Sequence, residues 1–145
     1  LFLFAVLAAP LVEEIILRGY LRRMLLGMRS PEIVVGIITA VVFTLIHAKS
    51  GWGASVLIYF SVSLLLSALT YFIDGIALSV FFHSAWNAVA VLVVGASNPY
   101  LASPIPWLSS PDLVKLALSI AMVAMCIFIF HQGRRRIDAV RGFNG

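Results

Sequence analysis

Five polar side chains stand inside otherwise apolar runs: Glu13, Glu14, His47, His83 and Asn87. An ionisable group within a membrane segment costs about 2.5 kcal/mol or more on insertion scales, so each calls for a reason. Glu14 and Arg18 are four residues apart with the acid first, the favourable order for an ion pair on a helix. Glu13 lies about 100° further round the same helix and is less well placed for Arg18. The geometry divides the labour: Glu14 is partly neutralised by Arg18, and Glu13 is left for something else. His83 and Asn87, also four apart, share one helix face and can donate hydrogen bonds in one direction. A developing oxyanion requires that arrangement. His47 closes the run that begins at Phe43. Each group also has a purely structural use. The acids can form a buried ion-pair network, His47 can be a satisfied structural residue, and His83 with Asn87 can hydrogen-bond between helices.

The elements that must carry these groups are apolar helices. Of 145 residues, 62% are hydrophobic and 11% charged, against roughly 45–50% and about 25% in soluble domains. A water-soluble fold of this length cannot hide so much apolar surface, whereas a bilayer solvates it. Five apolar segments approach the roughly 20 residues needed to span: about 1–27, 31–47, 52–73, 76–95 and 111–130. The expected fold is all-α, a polytopic transmembrane bundle of about five helices. The breaks fall at Gly27 to Pro31, Lys49 to Gly53, Asp74-Gly75 and the loop from Ala96 to Ser110. Pro31 and Pro111 suit a first helical turn, with Ser30 and Ser110 as caps. Residues 1–130 form the expected core and 131–145 a basic, solvent-exposed and mobile cytoplasmic tail. The chain opens on Leu1 within an apolar run that lacks a basic n-region, so it reads as a segment of a longer protein rather than a signal peptide.

Charge sets the orientation. The net charge is +4, which in a membrane protein reports topology rather than nucleic-acid binding. Arg18, Arg22, Arg23 and Arg29 cluster at the first turn-around, and Arg134, Arg135, Arg136 and Arg141 in the tail. Four crossings separate the clusters, so both fall on one side, the cytoplasm. Lys115 snorkels at the far end, where Tyr100 and Trp107 are the expected interfacial anchors. The single cysteine, Cys126, can form neither a disulfide framework nor a thiolate zinc site, and reads as packing. At 1.5 Å per residue, Glu13 and His47 both lie about 20–25 Å from the first turn-around and can face each other. His83 lies about 12 Å from the Asp74-Gly75 turn. The levels agree if the first turn projects roughly 10 Å beyond the bilayer.

Taken together, these strings resemble the three motifs of the CAAX protease and bacteriocin-processing family, which includes the type II CAAX prenyl endopeptidases. The first motif, Glu-Glu-x-x-x-Arg, is met by Glu13, Glu14 and Arg18; the second, Phe-x-x-x-His, by Phe43 and His47; the third, His-x-x-x-Asn, by His83 and Asn87. Leu17 stands where the family often has Phe, a packing position. The resemblance covers roughly residues 1–95 and implies an intramembrane endopeptidase. In it, Glu13 would activate a water, His47 would hold and polarise that water, and His83 with Asn87 would stabilise the oxyanion. Glu14 and Arg18 would orient the site. No cofactor is expected; the alternative is zinc on Glu13, His47 and His83 with water as the fourth ligand. The expected substrate is a peptide or protein tail at the cytoplasmic membrane face, with no nucleic acid as partner. Two other functions remain open: a non-catalytic membrane binding or immunity protein of the bacteriocin self-immunity type, and a small proton-coupled transporter.

Overall fold

A computed structural model of the chain describes residues 2–47, 54–96 and 112–142. All regular structure among them is helical. Helix α1 covers residues 4–27 without a break, alternating between two windings: π turns at Phe4–Ala8, α-helix at Ala9–Glu14, π turns at Ile15–Leu21 and α-helix at Arg22–Gly27. Helix α2 is Glu32–His47, α3 is Ala54–Ile73, α4 is Ala77–Ala96 and α5 is Asp112–Gly142. The five apolar segments of the sequence are therefore five helices. Lys49, Trp52, Tyr100, Trp107 and Ser110, expected to serve as loop, anchor or cap residues, lie outside the described residues.

The fifth helix does not stop at Phe130. It runs on to Gly142, so residues 131–142 are helical rather than a mobile tail. The reason lies on α3. Tyr71 packs at a tilt against Phe130 with ring centroids 5.2 Å apart, and a Cβ on Gly133 would fall only 2.7 Å from its ring edge. That close approach holds α5 beyond the expected end, and no proline follows to break it.

The two described turns close on charged residues. Arg29 has φ 61° and Asp74 φ 54°, the left-handed conformation that most often takes glycine after a helix. Arg29 N–H donates to the Leu26 carbonyl and Ser30 N–H to the Leu25 carbonyl, while Gly75 N–H donates to the Thr70 carbonyl. These are the reverse bonds that satisfy the last carbonyls of α1 and α3. Pro31 takes the capping place of α2 rather than its first turn, since α2 begins at Glu32 and the Pro31 carbonyl accepts from Val35 N–H. Arg22 lies 3.7 Å from Asp74 and also pairs with Glu32. The α3–α4 turn thus sits level with Arg22, six residues before Met28, so the first turn projects about 9 Å past it. An offset of that size brings Glu13 and His47, counted from the first turn, to the level of His83, counted from the second.

The bundle is polar within and apolar without. Among the described residues, eleven polar side chains are buried against ten apolar ones, Pro10 being counted with the apolar. Large apolar side chains such as Leu3, Phe4, Phe81, Ile120 and Ile127 are exposed. Helix α3 is the centre and packs on α2, α4 and α5. Its Val62, Leu66 and Leu69 form the apolar core, with Leu78 and Trp86 of α4 and Met122 and Ile129 of α5 against them. Cys126 is buried there, as a packing role requires. Among the described residues, two stretches, Val56–Ile73 and Leu116–Gly133, are long and apolar enough to cross a membrane; α2 is apolar but shorter.

Candidate active site

The motif residues converge. Glu14 is wholly buried, and its Oε1 takes two donors: Nη1 of Arg18 at 2.9 Å and Nδ1 of His83 at 2.9 Å. The Glu14–Arg18 pair is the one expected from their spacing. Because a carboxylate only accepts, the His83 proton lies on Nδ1. Its other nitrogen, Nε2, then faces Glu13 Oε2 at 3.6 Å. His47 reaches the same oxygen from α2, with Nε2 at 3.8 Å. Its Nδ1 is 2.8 Å from the Phe43 carbonyl, which again places the proton on Nδ1. The Nε2 atoms of two imidazoles therefore flank one carboxylate oxygen that is buried and has no hydrogen-bond partner among the described residues.

Both gaps are too long for a direct hydrogen bond and suit a bridging donor. A water that gives one proton to Glu13 and one to a histidine satisfies such a set of acceptors. A pocket of about 60 Å³, lined by Glu13, Ile16, Leu17, Phe43, Ile46 and His47, opens beside it. One water occupies about 30 Å³ in the liquid, so the volume suffices for one or two, but the wall this pocket exposes is apolar and Glu13 Oε2 lies behind it. Ile16 and Ile46 are exposed, so the pocket faces the apolar flank of the bundle.

Phe43 fixes both rings. It stacks on His47 with centroids 4.1 Å apart, meets His83 edge-on at 5.5 Å and receives the Arg18 guanidinium over its face at 5.6 Å. Asn87 departs from the expected arrangement. Its Nδ2 donates to the Ala5 carbonyl at 2.9 Å, so one amide hydrogen is spent on α1 rather than aimed with His83 at a common point. The first stretch of π turns, Phe4–Ala8, contains that carbonyl.

With the geometry in place, comparison with protein families matches residues 1–89 to the family described as Rce1-like, type II CAAX prenyl endopeptidase Rce1-like. The chain belongs to the Rce1-like family. These are membrane-embedded CAAX endopeptidases, so the chain carries the marks of a membrane protease and hydrolase. The match contains every motif residue from Glu13 to Asn87 and leaves α5 outside. No curated protein and no solved structure matches the chain significantly.

Within this Rce1-like core, no group of three or more His, Cys, Asp or Glu among the described residues is arranged to hold a metal ion. Of the zinc set considered from sequence, Glu13 Oε2 lies 3.8 Å from His47 Nε2 and 3.6 Å from His83 Nε2. Two further residues touch the site and carry none of the sequence motifs. Tyr59 of α3 lies against His47, ring centroids 5.2 Å apart. Ser63 of α3 receives Nη2 of Arg18 on its carbonyl at 2.8 Å and on its hydroxyl. Sequence reasoning missed both, although α3 held a signal: Ser63, Ser67 and Thr70 recur at four and three residues, one face of a helix.

Proposed function

We propose that this chain is the core of a polytopic intramembrane endopeptidase that hydrolyses a peptide bond with a water activated by Glu13. The single observation that carries the reading is the buried, unpartnered Oε2 of Glu13 between the Nε2 atoms of His47 and His83. The polar interior and apolar exterior support a bundle of five membrane helices, with Arg22, Arg23, Arg29 and the arginines of α5 on the cytoplasmic side. The substrate is a peptide or protein tail held at that membrane face, in keeping with a family of CAAX prenyl endopeptidases.

In the reaction, Glu13 Oε2 takes one proton of the water as its oxygen adds to the scissile carbonyl carbon. His47 Nε2 accepts a hydrogen bond from the other proton and so aims the attacking lone pair. His83, anchored through Nδ1 to Glu14, faces the new oxyanion and, as the imidazolium with a proton on each ring nitrogen, donates Nε2–H to it without giving the proton up. Asn87 retains a second amide hydrogen for the same oxygen. The C–N bond then breaks as the proton held by Glu13 passes to the amide nitrogen, leaving a carboxylic acid and an amine. Glu14 and Arg18 orient His83. No metal has a step in this scheme.

The test is cleavage of a library of membrane-tethered peptides by purified protein in detergent, wild type beside Glu13→Gln, with and without a chelator. Glu13→Gln is expected to lose at least about a hundredfold in rate while staying folded, since general bases contribute about 10²–10⁴-fold. Chelator is expected to change nothing. A folded Glu13→Gln that cleaves at the wild-type rate would sink the reading. Loss of wild-type activity to chelator would return zinc to it.

A further inference from the structure

The motifs place catalytic machinery on α1, α2 and α4 and none on α3. Yet α3 supplies a fully buried hydroxyl that touches the machinery. Arg18 gives Nη1 to Glu14, and Nη2 to both the carbonyl and the hydroxyl of Ser63. Ser63 is itself held from behind: Ser67 Oγ donates to the Ser63 carbonyl at 2.9 Å, and Thr39 Oγ of α2 meets Ser67 Oγ at 3.0 Å. One continuous chain thus runs Thr39, Ser67, Ser63, Arg18, Glu14, His83 and ties α2, α3, α1 and α4 together. Its last link is the imidazole whose Nε2 faces Glu13.

We propose that Ser63 is a positioning residue of this active site, setting the side chain of Arg18 and, through Glu14, the proton position and ring orientation of His83. A guanidinium is a rigid fork. With Nε of Arg18 unpartnered and Nη1 committed to Glu14, the Ser63 contacts to Nη2 determine where the fork points. Ser63 differs in this from Ser61 two residues earlier, which is also buried but gives its hydroxyl to the Leu57 carbonyl of its own helix. The two serines form a built-in control. Each can lose a buried hydroxyl from α3, and only one loss reaches Arg18. The Ser63→Ala variant keeps the backbone carbonyl contact, so Arg18 is loosened rather than released.

The inference rests on the endopeptidase reading for its kinetic arm and is independent of it for its spectroscopic arm. Nitrogen-15 NMR of histidine-labelled full chain in detergent reads the state of His83, one of three histidines. Ser63→Ala is expected to shift the His83 Nδ1 resonance and to lower kcat about tenfold or more on a tethered peptide, with KM within about twofold. Ser61→Ala is expected to leave both unchanged. Wild-type resonance and kcat in Ser63→Ala overturn the proposal, and so do equal changes in the two variants. If Ser63→Ala does not accumulate folded, Ser63→Cys replaces it: near in size, a much weaker acceptor, and read by the same resonance and the same kcat with the same expected changes. If wild type cleaves no peptide, the endopeptidase reading fails and the His83 resonance alone decides the role of Ser63.

Discussion

Two regions of this bundle bury polar groups and treat them in opposite ways. Along α3, away from Ser63, hydroxyls give their hydrogens back to their own helix: Ser61 to the Leu57 carbonyl, Ser67 to Ser63 and Thr70 to Leu66. Such groups are satisfied locally and cost little away from water. Where α1, α2 and α4 meet, polar groups reach across helices, and some are left open. Glu13 Oε2, Glu14 Oε2 and Arg18 Nε have no hydrogen-bond partner among the described residues. Native folds keep such atoms rare because each costs about 1–3 kcal/mol, and more when charged. The difference separates structural from chemical polarity. The Ser61, Ser67 and Thr70 hydroxyls close local hydrogen bonds, whereas the Glu13 site keeps acceptors facing an incoming molecule; Ser119 of α5, a buried hydroxyl without a hydrogen-bond partner among the described residues, lies outside both groups.

That contrast can be broken by mutation. The largest effect on stability is expected at the inter-helix end. Arg18→Met strands the buried Glu14 carboxylate and should cost about 3–5 kcal/mol, measured by unfolding in detergent. The double variant Glu14→Gln with Arg18→Met should recover most of that loss, because both charges then leave together. A double variant as unstable as the single would mean that packing, not charge, governs the site. Next comes the α3–α5 contact. Gly133→Ala drives a methyl into the Tyr71 ring and should cost about 1–3 kcal/mol. It should leave the Glu13 site untouched, since Gly133 lies on α5, away from the motif helices. The smallest effect is a gain. Arg29→Gly removes a side chain from a left-handed position and should stabilise by about 1 kcal/mol, read as a raised thermal midpoint. A loss there would show that the Arg29 side chain does more than close the turn.

Much of the site is legible in the spacing of its residues. The Glu14–Arg18 pair follows from a separation of four, and the release of Glu13 from its 100° offset. The pairing survives the π turns that begin at Ile15, because four residues stay close to one turn in either winding. The facing of Glu13 and His47 follows from counting residues to the first turn. The end of α5 is not legible in this way, because a basic run looks solvated until Tyr71 is found gripping Gly133.

The period of a helix is local, so sequence spacing alone determines which residues share a face and at what depth they lie. The five helices, the pairing of Glu14 with Arg18 and the level shared by Glu13 and His47 are of that kind. Rotation of one helix against another is not local, because it depends on every side chain between them. Tertiary packing therefore decided that His83 gives Nδ1 to Glu14, that Asn87 spends a hydrogen on Ala5, and that Ser63 rather than Ser61 meets Arg18. It also decided the projection of the first turn, which Arg22 records by reaching both Glu32 and Asp74.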